Sequence, residues 1–297
     1  MIQPTCLQKN DTVAIVSTAR KISLKEIQPA INLLKNWELK VVIGKTIGLD
    51  ENQFAGTDVQ RVSDFQEMLD NPKIKAIWCA RGGYGTVRII DELDFTEFKK
   101  KPKWIIGYSD VTVLHNHIHN FGIETLHATM PINVIENSEK SLASLKKCVF
   151  SNAISFEIST SEDSKTGNST GILVGGNLSI LFSLLGSPSD INTDGKILFI
   201  EDLDEYLYHI DRMFINLKRN GYFNNLKGLI IGGMSDMNDN AIPFGKTAKE
   251  IILDVVSEFD FPVVFDFPAG HINDNRSLIL GRKVKLEVGK TSTKLSF

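Results

Sequence analysis

Ser109 stands where the apolar run Trp104-Ile-Ile meets Gly107-Tyr-Ser-Asp-Val-Thr112, a pattern that reads as a strand, a tight turn and the start of a helix. A serine at such a turn is held in the open, with helix N–H groups aimed at whatever its oxygen attacks, which is the layout for acyl transfer. The segment departs from G-x-S-x-G because Val111 replaces the final glycine. A serine placed here also serves as a plain helix cap. A second glycine-bearing turn, Ala80-Arg-Gly-Gly-Tyr-Gly85, follows another apolar run. Its spacing fits neither Walker A nor G-x-G-x-x-G. It is either an ordinary turn or a source of donors, with the N–H of Gly83 joining that of Asp110 in an oxyanion hole.

Glu201 and Asp202 close the apolar run Ile197 to Ile200. A carboxylate there is an exposed charge, a helix cap or the acid partner of a base. His271 follows Phe267-Pro-Ala-Gly270, just past a further apolar run. It reads either as a surface loop residue or as a general base beyond a strand end. His115, His117 and His119 resemble a metal cluster at first sight. On a helix the first and third share a face while the second points away, so the three do not bind one ion. No metal and no cofactor is expected.

The elements that must position these residues alternate. Thr12 to Val16, Val41 to Ile43, Ala76 to Ala80 and Trp104 to Ile106 are short apolar strands. Between them, Ile27, Ile31 and Leu34, then Val62, Phe65 and Leu69, recur at helical spacing. This is the signature of an α/β fold with a doubly wound, largely parallel sheet, whose ligands sit beyond the carboxyl ends of the strands. From about Ser151 to Thr170 the composition turns to Ser, Thr, Asn, Asp and Glu. The expected organisation is therefore a nucleophile-bearing domain over residues 1–150, a connection over 151–170, and a second α/β domain over 171–297. The second half holds a helix from Asn177 to Leu185 and strands at Ile197 to Ile200, Leu229 to Ile231 and Val263 to Phe265. Leu207, Ile210, Phe214 and Leu217 mark a further helix with one apolar face, and Ser277 to Val288 alternates as two β segments around Gly281.

Bulk properties narrow the partners. A net charge of -3 over 297 residues gives no reason to expect nucleic acid or an acidic membrane surface. The one basic run, Lys99 to Lys101 with Lys103, reads as a solvated loop. The three cysteines are far apart, without a C-x-x-C pair, and Cys79 reads as a buried, inert thiol. Neither a secretory signal nor a membrane span is evident, so a cytoplasmic protein is expected.

Taken in order, these segments resemble the LD-carboxypeptidase family of serine peptidases, whose relatives include microcin-immunity peptidases. The resemblance runs through Phe54-Ala-Gly-Thr57, the Arg81 to Gly85 turn, Gly107 to Asp110, Gly175-Gly-Asn-Leu178, Ile197 to Asp202, Tyr208 to Arg212, and Gly270-His271 with Asn275 and Gly281. Gly186-Ser-Pro188 departs conservatively, and Ser17-Thr-Ala19 lacks a proline often found there. The resemblance implies a catalytic triad of Ser109, His271 and Glu201, split between two domains with the site at their junction. It also implies a homodimer, and a muropeptide substrate that loses a terminal D-alanine during cell-wall recycling. The carboxylate of such a substrate needs a cationic or N–H-rich pocket, for which Arg81 is placed by position. One alternative keeps the triad and hydrolyses a toxic peptide–nucleotide conjugate. Another is a non-enzymatic α/β ligand-binding module in which Ser109 only caps its helix.

Overall fold

The computed structural model describes residues 1–151 and 154–297. The first half runs β1 (Thr12–Val16), α1 (Leu24–Asn36), β2 (Lys40–Ile43), α2 (Asp58–Asp70), β3 (Ile74–Cys79), α3 (Thr96–Lys100), β4 (Trp104–Gly107), α4 (Thr112–His119), β5 (Thr125–His127) and α5 (Glu139–Phe150). Apolar strands such as β1 and β4 are buried on both faces because helices cover the sheet. The helices begin where the sequence offers a cap. Ser23 with Glu26, and Thr57 with Gln60, form reciprocal capping boxes at α1 and α2. The helix α1 then buries Ile27, Ala30, Ile31 and Leu34, the face its periodicity predicts.

The second half runs β6 (Ser155–Ser159), β7 (Gly167–Asn177), α6 (Leu178–Leu184), β8 (Ile197–Leu203), α7 (Leu207–Arg219), β9 (Gly228–Ser235), α8 (Ala248–Val256), β10 (Val263–Val264), β11 (Leu278–Leu280), β12 (Lys283–Val288) and β13 (Ser292–Ser296). Two sheets result. The first has the order β11-β5-β4-β3-β1-β2 and the second β10-β9-β8-β7-β12-β13-β6. In the first sheet β1 to β5 are mutually parallel and β11 is antiparallel. In the second, β7 to β10 are parallel while β12, β13 and β6 pair antiparallel. Strand order in the first sheet reverses between β1 and β3, the switch point where open parallel sheets leave a crevice.

Two expectations need correction. The polar stretch 151–170 is not an irregular connection: β6 pairs with β13 and the start of β7 pairs with β12. Residues 152 and 153 of that span lie outside the described residues. Its polarity comes from alternation, since Phe156 is buried while Ser155 and Glu157 face outward. The two β segments expected around Gly281 are both present and join different sheets, β11 the first and β12 the second, with Gly281 turning the chain at φ 91°. Finally, Lys103 is not a solvated lysine. It is buried, donates to the carbonyls of Met68 and Asn71, and burial pushes its pKa down to about 8.

Candidate active site

The carboxyl ends of the parallel strands of both sheets meet over a cleft of about 560 Å³, lined by residues that follow β1, β3, β4, β7, β8 and β10. Ser109 comes one residue after Tyr108 at the end of β4, with φ 64°, a left-handed conformation that a side chain adopts only when its surroundings enforce it. The enforcement is visible in the neighbouring turn. A Cβ added at Gly82 would lie 2.8 Å from Ser109 Oγ and 3.3 Å from the Asp110 nitrogen, so only glycine lets that turn approach the serine so closely.

His271 and Glu201 are joined directly. His271 Nδ1 lies 2.6 Å from Glu201 Oε2, and the same oxygen accepts the His271 backbone N–H at 3.1 Å. Glu201 is fully buried, so it is neither an exposed charge nor a cap. Gly270 makes the contact possible, with φ 105° and a Cβ position that would fall 2.6 Å from Glu201 Oε2. Its N–H is held by Asn275 Oδ1 at 2.8 Å, and Ser235 Oγ donates to the His271 carbonyl. Burial disfavours charge on both side chains. Their mutual charge and hydrogen bond outweigh it, raising the pKa of His271 and lowering that of Glu201. With Nδ1 committed to Glu201, Nε2 remains as the basic nitrogen. Ser109 and His271 line the same cleft, with no hydrogen bond between them among the described residues. Such bonds are often long before substrate binds.

Gly83 and Asp110 also line the cleft, and among the described residues neither backbone N–H is spent on another acceptor. The Asp110 carboxylate is buried and accepts the Thr86 N–H at 2.8 Å, which ties the glycine turn to the serine turn. Arg61, fully buried, steadies the far side of that turn by donating to the carbonyls of Thr18 and Gly85. Arg81 reaches the cleft and donates to the Lys21 carbonyl at 3.2 Å, and the Arg20 side chain lines the same cleft against Gly83.

Several residues around the cleft were missed in the sequence. Asn177 caps α6, donates to Asp202 Oδ1 at 2.8 Å, and gives its backbone N–H to Thr112 Oγ1 at 3.1 Å. The preceding glycines allow this: a Cβ at Gly175 would fall 1.9 Å from the Phe199 carbonyl oxygen, and one at Gly176 2.5 Å from Thr112 Oγ1. Burial and the adjacent Glu201 charge raise the pKa of Asp202 to about 7. The signal for Arg20, Thr112 and Asn177 was only proximity to a strand end or a glycine pair. The three helical histidines part company. His115 binds Thr125 and the Gly107 carbonyl, His117 meets Ser189, and His119 meets Lys196.

The parallel parts of two mixed α/β sheets meet over a His–Glu pair in a cleft that also holds Ser109, the arrangement of a candidate serine-type hydrolase. Residues 13–128 match the LD-carboxypeptidase N-terminal domain and residues 170–286 the C-terminal domain. The chain is 34% identical to a probable murein peptide carboxypeptidase of Bacillus subtilis, covering 97% of this chain and 92% of that protein. It superposes on the crystal structure of muramoyltetrapeptide carboxypeptidase from Oxalobacter formigenes with a TM-score of 0.87 at 27% identity, covering 96% of this chain and 98% of that one. The Microcin C7 self-immunity protein MccF of Escherichia coli is 27% identical, over 86% of this chain and 84% of its own. The chain belongs to the LD-carboxypeptidase family and is a serine-type carboxypeptidase.

Proposed function

We propose that this protein releases the terminal D-alanine from L,D-linked muropeptide tetrapeptides, with Ser109 as nucleophile, His271 as base and Glu201 as the acid that orients it. The observation that carries the reading is the 2.6 Å bond from His271 Nδ1 to the buried Glu201, in the cleft that Ser109 enters at positive φ. Ser109 Oγ attacks the carbonyl of the residue before the terminal alanine as His271 Nε2 takes its proton. The imidazolium, stabilised by Glu201, returns that proton to the leaving amine of D-alanine. The N–H groups of Gly83 and Asp110 receive the oxyanion. Water then enters, and the same base releases the acid product. The substrate carboxylate is assigned to Arg81 and to Arg20, which lines the same cleft.

The reading extends to a cytoplasmic homodimer in cell-wall recycling, supported by the family resemblance. No helix among the described residues is long and apolar enough to cross a membrane. Mass spectrometry of the purified protein with two tetrapeptide muropeptides, ending in D- or L-alanine, tests the substrate. Inverting the last centre swings the methyl or the carboxylate out of place, so D-alanine is expected to leave and L-alanine to stay. Losing one oxyanion donor costs roughly 10²–10³ in rate, and misplacement of that order is easily read. Equal release from both peptides removes the LD-specific reading. Inertness toward both, with cleavage of a peptide–nucleotide conjugate, moves the assignment to the immunity-type reaction.

A further inference from the structure

Behind the His–Glu pair lies a second histidine that the mechanism above does not use. His127 ends β5, opposite Gly107 of β4 and Leu278 of β11, and is fully buried. Neither of its ring nitrogens has a hydrogen-bond partner among the described residues. Its ring packs edge-on against Phe199 at 4.9 Å and lies 5.7 Å from Tyr108, which in turn touches the His271 ring at 4.7 Å. Phe199 and Glu201 are two apart on β8, so their side chains project from the same face of the strand. That places His127 beside the acid.

Two more orphans sit nearby. Glu201 gives Oε2 to His271 twice over, while its other oxygen, Oε1, is buried without a partner among the described residues. Asn275 uses Oδ1 to hold the Gly270 N–H, while its buried Nδ2 has no acceptor among the described residues. A buried carboxylate oxygen and a buried amide N–H are each costly to leave unpaired. Glu201, an obligate acceptor at Oε1, and Asn275, an obligate donor at Nδ2, both border Gly270, and the His127 imidazole lies against Phe199 on the acid's side of β8. A buried water needs two to four such partners.

We infer that His127 and Asn275 Nδ2 hold Glu201 Oε1 through one shared buried water, making His127 a positioning residue for the acid of the triad. Burial pushes the His127 imidazole down to about 3, so the ring is neutral and can both donate and accept. The inference rests on the triad reading but not on the choice of substrate.

The test therefore uses labelling of Ser109 by a fluorophosphonate, which needs an activated serine and no muropeptide. Labelling of the wild type that is absent in S109A identifies Ser109 as the activated nucleophile of the triad reading, and labelling that persists in S109A overturns the triad and the inference together. In His127→Phe the ring volume stays and the nitrogens go. Labelling is expected to slow by roughly 10–100-fold, the size expected when a buried carboxylate loses one hydrogen bond. Stripping a donor from Glu201 makes the His–Glu pair hold its proton more tightly. The acid limb of the labelling profile should therefore move to higher pH, by about one unit. Of His127→Asn and His127→Gln, the one that retains a nitrogen on the water's side should restore most of the rate and the original limb. A high-resolution crystal structure should show the water bonded to all three groups. Wild-type labelling in His127→Phe overturns the inference alone, as do a dry site or slowing in all three variants with an unmoved limb. If the Phe variant fails to fold by circular dichroism, the Asn and Gln variants and the crystal structure decide it.

Discussion

At the scale of single residues, the proposed chemistry rests on three side chains that are useless apart. Ser109→Ala and His271→Ala should each cut kcat by several orders of magnitude, with Glu201→Gln somewhat milder. The Ser109/His271 double variant should be little worse than either single one, because groups acting as one unit lose activity non-additively. Multiplicative losses would argue for independent roles. Glu201→Gln also makes a pH prediction with a fixed sign. The base must be deprotonated to act, and Glu201 holds the His271 pKa above its ordinary value of 6.5. The acid limb of kcat/KM should therefore lie above 6.5 in the wild type and shift downward when the carboxylate charge is removed. Circular dichroism at each pH separates this from unfolding.

At the scale of elements, the glycines at the end of β7 are where the two sheets are brought into contact. Gly176 has φ 143° and faces Thr112 Oγ1 at the start of α4, while Asn177 next to it holds both Thr112 and Asp202. Gly176→Ala should cost roughly 2–4 kcal/mol by denaturant titration and should depress turnover as well, because it pushes the two halves of the cleft apart. Gly186 is the control. Its φ is 74° and nothing lies within 4 Å of an added Cβ, so Gly186→Ala should cost about 1 kcal/mol and leave turnover alone. Equal effects at the two positions would refute the contact argument.

The same elements explain what the sequence disclosed. Strands β1, β3, β4 and β8 were legible because each carries a run of four or more largely apolar residues, and Ser109, Glu201 and the Arg81 turn stand at or just beyond the ends of those runs. The three-residue β5 carries too little pattern, and β6 and β13 look polar because half of each faces water. His127 and Asn177 gave no sign of their surroundings. A histidine in a three-residue strand acquires its neighbours only when β4, β8 and β11 close around it, which is a fact of topology and not of local composition.

At the scale of the whole molecule, the halves are bound by a segment that returns. Strand β11 leaves the second half to pair with β5 in the first sheet, and just beyond it Arg282 Nη2 meets Glu124 Oε2 at 2.6 Å with both side chains buried. Removing one partner of a buried pair strands a charge. Arg282→Met should thus cost about 3–5 kcal/mol, and adding Glu124→Leu should recover most of it. Because the pair bridges both halves, denaturation should stay a single transition that shifts as one. Two transitions with only one moving would contradict this.

That returning strand also sets a schedule for synthesis. A nascent chain exposes β5 early, but its neighbour β11 emerges roughly 150 residues later, a delay on the order of ten seconds at ribosomal speeds. Throughout it the β5 edge offers unpaired backbone and Glu124 lacks its arginine. Native closure of the first sheet therefore waits until β11 has emerged, and the ribosome-bound first half is the form of this protein most exposed to non-native pairing.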